Sequence, residues 1–195
     1  MPKIENRLFF FLAFSMAFVI VVSNYLVQFP INYFKLESLL TYGAFSYPVA
    51  FLITDLANRK YGIKTAKKIV YFGFVLGVLI TFFFSINYSD LISIRIAIGS
   101  GTAFLVAQLI DIYVFDKLRK KLWFVAPLTS STIGSVIDTF LFFFIAFYGT
   151  EVKWIYLSFG DLSVKLFVTL IMLIPFRILL VHIEEISTMK KKINV

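Results

Sequence analysis

The chain of 195 residues contains no cysteine and a single histidine, His182. The absence of cysteine excludes disulfide bonds and thiol chemistry, although it identifies no compartment. It also leaves no pair of side chains suited to nucleophile–base catalysis and no cluster of zinc-type ligands. A phosphate-binding glycine pattern is missing too, since GIKTAKK lacks the preceding glycine. We therefore expect no enzyme activity, no metal and no cofactor.

Charge is also scarce. Charged residues make up 15% of the chain, whereas 60% of the residues are hydrophobic and 25 are phenylalanine. Soluble domains average roughly a quarter charged residues. The stretch from Leu8 to Phe29 contains no charge, and neither does the stretch from Ile69 to Ile86. A helix needs about 20 apolar residues to cross a bilayer. The sequence therefore predicts an all-α integral membrane protein.

Six stretches are apolar enough to cross the membrane, and we interpret residues 1–195 as one transmembrane domain. The predicted spans are residues 8–29, 38–57, 68–87, 96–115, 126–148 and 160–181. The first is too long for a signal peptide and lacks a small-residue cleavage site, so we expect it to be a retained helix.

The basic residues predict the orientation. With the N-terminus in the cytoplasm, fifteen of the 19 Lys and Arg residues lie on that side, and Lys35, Arg95 and Lys153 lie outside. This asymmetry follows the positive-inside rule, so we predict that both termini are cytoplasmic. The same short loops can contact anionic lipid heads. We therefore attribute the net charge of +8 to membrane lipid and not to a nucleic-acid partner.

Two predicted helices carry an aspartate near their cytoplasmic ends. Asp55 has Arg59 four residues later, within reach of an ion pair, and Gln108 precedes Asp111 by one turn. A charge in the hydrocarbon costs at least about 2.5 kcal/mol, so each such residue needs a reason. The sequence leaves two interpretations open: packed polar contacts that fix the loops, or an inner gate that opens and closes.

The fifth predicted span has an aspartate near its middle. Asp138 lies about a dozen residues, or roughly 18 Å, from the inner end of a hydrocarbon core about 30 Å thick. Ser131, Gly134 and Ser135 lie on the same face and form a stripe of small residues. Such a stripe lets a backbone or a ligand approach closely. We interpret Asp138 as a binding or proton site.

The predicted outer half contains two further polar pairs. Asp161 and Lys165 are four residues apart in an order that favours an ion pair, which either neutralises itself or contributes to a site. Asn24 and Gln28 share a helix face, suited to an interhelical hydrogen bond or to a ligand contact. Acids, amides and one lysine among many aromatic rings suit a flat polar heterocycle.

Five blocks of sequence resemble the bacterial queuosine-precursor transporter family, which has vitamin-uptake-like relatives. They are SNYLVQFP, TYGAFSYPVAFLITDLANRKYG, AQLIDIYVFDKLRK, APLTSSTIGSVIDTFLFFFIAFYG and DLSVKLF. The resemblance implies a six-helix importer in the bacterial inner membrane. Its substrate would be a 7-deazaguanine, namely the 7-cyano compound, its aminomethyl relative or queuine, used for a modified tRNA nucleoside. We expect alternating access, and a homodimer is compatible with this assignment.

The resemblance also supplies matching positions. They are Asn24, Gln28, Phe45, Ser46, Asp55, Arg59, Arg95, Gln108, Asp111, Ser131, Asp138, Asp161 and Lys165. We expect the Asp138 carboxylate to accept the two adjacent N–H donors of the ring, and Asp161 to meet a cationic aminomethyl group. The O6 acceptor would meet Gln28, Asn24 or Lys165.

Phe45, or a neighbouring aromatic residue, is expected to stack on the ring. Ser131 and Gln108 complete the predicted substrate-binding set. Asp55, Arg59 and Asp111 are the predicted gating or coupling residues.

Two other functions remain open from the sequence. One is a substrate-capturing subunit of a larger ATP-driven importer, since Ala13 and Ala17 have the small-xxx-small spacing that such subunits use for docking. The other is a structural membrane protein, which would bind no saturable ligand.

Overall fold

The computed structural model describes residues 3–26, 29, 31, 41–84 and 91–193. Its helices are α1 (Lys3–Leu26), α2 (Gly43–Tyr61), α3 (Ile63–Phe84), α4 (Leu91–Leu118), α5 (Val125–Phe147) and α6 (Trp154–Ile193). The predicted all-α class is confirmed. Four helices, α1, α4, α5 and α6, contain segments long and apolar enough to cross a membrane.

Several helices extend beyond the predicted spans. The second ends at Tyr61 and not at residue 57, the fourth begins at Leu91 and not at residue 96, and the sixth covers Trp154–Ile193 and not 160–181. Hydropathy locates the hydrocarbon crossing, whereas a helix continues through charged residues that are good helix formers. Residues 38–40 and 85–87 of the predicted spans lie outside the described part of the chain, as does Gln28.

Two glycines set the sharp helix ends. Gly62 has a φ of 81°, and its N–H donates to the Asn58 carbonyl over 2.8 Å, so α2 stops and α3 begins at the next residue. Gly149 has a φ of 77° just after α5. Both conformations lie in the left-handed region that favours glycine.

Consecutive helices run antiparallel, and alternate helices run parallel. Ser23, near the end of α1, meets Ser46 at the start of α2, whereas Thr54 and Asn58 of α2 contact Gln108 and Ile112 of α4 in the same order. The α2–α3 and α4–α5 connections therefore lie at one end of the bundle. There the Arg119 guanidinium donates to the carbonyls of Asn58 and Arg59. We call this the basic end, defined by residues 59–68 and 117–121.

Arg95, predicted in an outer loop, is part of α4. Its guanidinium donates to the carbonyls of Ile145 and Tyr148, at distances of 2.7 to 3.1 Å. Ile145 belongs to the last turn of α5 and Tyr148 directly follows the helix, where the final carbonyls have no intrahelical donors. Arg95 therefore caps α5 at the end of the bundle opposite the basic end.

Small residues bring α1 and α3 into close contact. A Cβ atom added to Gly73 would lie 2.6 Å from Met16 Cγ and 3.1 Å from the Ala13 carbonyl oxygen. Ala13 and Ala17 are buried inside the bundle. In the absence of a hydrophobic driving force between helices in lipid, such backbone approach is a principal source of helix association.

We expect Gly73→Ala to lower the thermal unfolding temperature of the purified protein. Overpacking a filled contact costs typically about 1–3 kcal/mol. Gly101→Ala is the matched control, because the nearest atom to its added Cβ would lie at an ordinary 3.7 Å. Equal unfolding temperatures for the two variants would contradict the close α1–α3 packing.

Candidate functional site

A cavity of about 140 Å³ lies among α2, α4, α5 and α6. It is lined by Thr41, Gly43, Ala44, Tyr47, Ile96, Ser100, Asp138, Phe142, Phe143, Phe147, Leu157, Asp161 and Lys165. Apart from Thr41, which precedes α2, these residues belong to the first half of α2, α4 and α6 and to the second half of α5. The cavity therefore occupies the half of the bundle away from the basic end.

Lys165 is the centre of the polar wall of this cavity. Its ammonium nitrogen lies 2.8 Å from Asp138 Oδ2, 2.6 Å from Asp161 Oδ2 and 3.2 Å from Thr139 Oγ1. The predicted Asp161–Lys165 pair therefore forms, and it includes Asp138 of the neighbouring helix. All three charged side chains are buried. A buried charge is tolerable only when it is paired and hydrogen-bonded, and this arrangement meets that condition.

The stoichiometry of this cluster leaves acceptors for a ligand. An ammonium group has three N–H donors, and Lys165 directs one at each of its three partners. Thr139 donates its own hydroxyl hydrogen to Asp161 Oδ2 over 2.9 Å. Two carboxylates against one ammonium carry a formal charge of −1. The cluster can therefore accept hydrogen bonds from a ligand but has no N–H donor left to give.

A hydroxyl network forms the neighbouring wall. Tyr47 Oη lies 3.0 Å from Asn24 Oδ1 and 2.5 Å from Ser100 Oγ, which is itself 2.5 Å from Asn24 Oδ1. Two hydroxyl hydrogens serve these three short contacts, so one contact lacks a hydrogen at any moment. Tyr47 and Ser100 both line the cavity, so either hydroxyl can donate its hydrogen to a ligand by giving up one of these contacts.

The apolar walls are aromatic. Phe142, Phe143 and Phe147 lie in the cavity wall, and the first two rings meet edge to face with centroids 5.0 Å apart. Phe45 does not line the cavity and is 46% exposed. Two residues along a helix turn by about 200°, so Tyr47 faces the cavity and Phe45 faces away from it. The aromatic residue of α2 in this wall is Tyr47.

A second polar group lies closer to the basic end. Asp55 of α2 and Asp111 of α4, which we call the acid pair, are both buried and close enough to interact electrostatically. Ser130 and Ser131 of α5 donate to Asp55 over 3.4 and 3.3 Å. These distances are long for O–H···O bonds, which average about 2.7–2.8 Å. The protein therefore offers the acid pair only weak hydrogen bonds.

The chain can be compared with known protein families and with individual proteins. Residues 41–180 match the family described as "Putative vitamin uptake transporter". The chain belongs to this family. It is 36% identical to the "Probable queuosine precursor transporter" of Haemophilus influenzae, over 88% of this chain and 85% of that protein.

Two further relatives carry similar names. The chain is 32% identical to the "Queuosine precursor transporter" of Escherichia coli, over 85% of this chain and 83% of that protein. It is 29% identical to the "Probable queuosine precursor transporter" of Bacillus subtilis, over 80% of this chain and 77% of that protein. No solved structure matches the chain. The family predicted from the sequence blocks is confirmed, and all three of these relatives are named as transporters.

The part matched by the vitamin-uptake family contains every lining residue of the cavity and both members of the acid pair. The structure divides the predicted substrate-binding residues between the two groups. Asp138, Asp161 and Lys165 line the cavity, and Asn24 supports its hydroxyl network. Gln108 accepts a hydrogen bond from Thr54 and Ser131 donates to Asp55, so both lie with the acid pair. Gln28 falls outside the described residues.

Two interpretations from sequence spacing are wrong. Arg59 does not pair with Asp55; its guanidinium donates to the carbonyl of Arg119, which directly follows α4 at the basic end. The small-residue stripe of α5 is not open to a ligand at Gly134. A Cβ added there would lie 2.6 Å from Phe51 Cε1, so the ring of Phe51 fills the notch.

Lys165→Met should strongly destabilise the folded protein, because it leaves two buried carboxylates without a cation. Breaking a buried pair in this way costs about 3–5 kcal/mol. We expect Asp161→Asn in the same chain to restore part of the loss, as measured by thermal unfolding in detergent. Lys153→Met, at an exposed loop position, is the control. Equal stability of Lys165→Met and Lys153→Met would contradict the cluster.

Proposed function

We propose that the chain imports a 7-deazaguanine precursor of queuosine across the bacterial inner membrane, with the cavity beside Lys165 as the substrate site. The observation that carries this proposal is the composition of the cavity wall: a buried acceptor cluster on one side and phenylalanine rings on the other. Relatives that align over most of the chain are named for the same substrate class.

The cavity chemistry matches the edge of a 7-deazaguanine. The ring presents two adjacent N–H donors, which one carboxylate accepts together, and Asp138 is the carboxylate that we assign to them. Because Lys165 directs all of its donors at protein acceptors, we assign the O6 acceptor to a hydroxyl hydrogen of Tyr47 or Ser100. The phenylalanine rings cover the flat faces. The formal charge of −1 favours a substrate with a cationic aminomethyl group, near Asp161.

The size of the cavity supports a small substrate. Pockets for drug-sized ligands measure roughly 300–1,000 Å³. A volume of about 140 Å³ suits one compact ring compound, such as a substituted base, better than a nucleoside or a larger vitamin.

We also propose six membrane crossings with both termini in the cytoplasm. The excess of Lys and Arg at the basic end supports this orientation through the positive-inside rule. The cavity then lies in the outer half of the membrane and the acid pair in the inner half. Substrate loads from outside and leaves past the acid pair after a rearrangement, as in alternating access.

Transport by this chain without an ATP-driven partner is supported by the packing of α1. Ala13 and Ala17, whose spacing suggested a docking face, are buried against the rest of the bundle. They are therefore unavailable to a second protein unless α1 leaves the bundle.

The substrate assignment predicts that 7-cyano- and 7-aminomethyl-7-deazaguanine raise the unfolding temperature of the purified protein, whereas unrelated vitamins do not. Asp138→Asn should weaken binding by roughly 10- to 150-fold, since a charge-assisted hydrogen bond contributes about 1.5–3 kcal/mol.

The matched control for this substitution is Asp116→Asn, because Asp116 makes a surface pair with Arg119 far along α4 from the cavity. Uptake by purified protein in liposomes, with no added partner, tests transport itself. Unchanged affinity in Asp138→Asn would exclude the proposed contact, and dependence of uptake on an added ATPase would support the rival importer subunit.

The orientation predicts opposite labelling of two exposed loops. Because the chain lacks cysteine, Lys120→Cys and Glu151→Cys each create a single thiol. In intact cells, a membrane-impermeant maleimide should label Glu151→Cys and leave Lys120→Cys unlabelled until the membrane is permeabilised. The reverse pattern would invert the topology.

A further inference from the structure

The acid pair differs from the cavity cluster because no described cation compensates it. Asp55 and Asp111 interact with each other and with Ser130 and Ser131. Both carboxyls are at most 2% exposed. Two ionised carboxylates in one low-dielectric site repel each other strongly and have lost their hydration, so the site requires a positive charge to be stable.

The charged side chains on the helices packed around the pair are engaged elsewhere. Arg59 of α2 bonds to the Arg119 carbonyl, Arg119 pairs with Asp116 at 3.3 Å, and Lys165 holds the cavity cluster. Arg95 of α4 donates to the carbonyls of Ile145 and Tyr148 at the opposite end of the bundle. Other described cations contact aromatic rings, namely Lys60, Lys117 and Arg177, or lie at the start of α3, namely Lys64, Lys67 and Lys68.

The hydrogen bonds around the acid pair lack a donor. Both oxygens of Asp111 are buried without a hydrogen-bond partner among the described residues, although Asp55, Ser130 and Ser131 are close enough to interact with its carboxyl. The two serine hydroxyls donate instead to Asp55. Ionised carboxylates contain only acceptors, so a contact between the Asp55 and Asp111 carboxylates lacks a donor. Gln108 Nε2, one turn before Asp111, is also buried without an acceptor in the described part of the chain. One proton added to the pair supplies the missing donor and halves the buried charge.

We propose that the acid pair Asp55–Asp111 binds one proton and that this proton drives substrate import. The inference rests on the proposed function, because it assigns the energy source to the same transport cycle. In this cycle the pair takes up a proton while the site faces outward and releases it to the cytoplasm when the contact opens.

The helices that carry the acid pair also carry the cavity. Asp138 and Ser131 lie seven residues apart on α5, or about 10 Å at 1.5 Å per residue. Tyr47 and Asp55 lie eight residues apart on α2, and Ser100 and Asp111 eleven apart on α4. A shift of α5 when substrate engages Asp138 therefore moves Ser130 and Ser131 against Asp55. This geometry couples occupation of the cavity to the contacts of the acid pair.

Transport in proteoliposomes tests the coupling. With an inward proton gradient, the unsubstituted protein should accumulate a labelled 7-deazaguanine above its external concentration. Asp111→Asn should lose this uphill accumulation completely while retaining exchange of internal for external substrate. Asp116→Asn changes an aspartate of the same helix that forms a partly exposed pair with Arg119; it is the matched control and should accumulate normally. Full accumulation by Asp111→Asn, or accumulation driven by sodium alone, would overturn the proposal.

A second measurement needs no substrate and separates the two proposals. Infrared difference spectra of the protein in lipid nanodiscs, recorded across a pH titration, should contain a buried carboxylic-acid carbonyl band. This band should disappear in both Asp55→Asn and Asp111→Asn and persist in Asp116→Asn. An unsubstituted protein that shows the band but neither accumulates nor exchanges 7-deazaguanines would refute the proposed substrate and keep the proton site. Absence of the band would refute the proton site alone.

Discussion

The cluster around Lys165 is the constraint on which the rest of the structure depends. One buried ammonium group must satisfy three N–H donors, and it does so with Asp138, Asp161 and Thr139. These contacts join α5 to α6, and the same ammonium lies 5.2 Å from the ring centroid of Tyr47 on α2. A single side chain thus fixes the relative positions of three helices that enclose the cavity. Because the Lys165 ammonium requires acceptors around it, this part of the cavity wall consists of hydrogen-bond acceptors.

The cavity cluster and the acid pair differ in how their buried charges are compensated, and this difference suits them to different roles. The cavity cluster has its own cation, carboxylate contacts of 2.6 to 2.9 Å and one Lys165–Thr139 contact of 3.2 Å. The acid pair has hydroxyl contacts of 3.3 and 3.4 Å and no cation among the described side chains that contact it. A well-compensated site resists rearrangement, whereas a poorly compensated one changes its contacts at small cost when a charge arrives. The first group is therefore suited to holding a substrate in fixed geometry, and the second to changing state.

Sequence patterns predicted the features that depend on local spacing or on composition. The all-α class follows from apolar runs, the Asp161–Lys165 pair follows from helical spacing, and the family follows from blocks such as TYGAFSYPVAFLITDLANRKYG. The errors concern contacts between helices. Spacing placed Arg59 beside Asp55, but the guanidinium donates instead to the carbonyl of Arg119, in the connection that follows α4. Spacing likewise could not reveal that Lys165 reaches Asp138, or that Tyr47 and not Phe45 faces the cavity, because helix rotation is set by packing.

The packing of α5 provides a physical connection between the cavity cluster and the acid pair, which lie about 10 Å apart along this helix. Its small residues let neighbouring helices approach so closely that Phe51 fills the surface over Gly134, between Ser131 and Asp138. Phe51 belongs to α2, four residues before Asp55. A displacement of α5 at Gly134 moves the ring of Phe51, because close-packed groups transmit displacement to the next layer. The next layer is the contact of Ser130 and Ser131 with Asp55. The small-residue stripe, which as a sequence pattern suggested room for a ligand, therefore serves to press α2 and α5 together between the two sites.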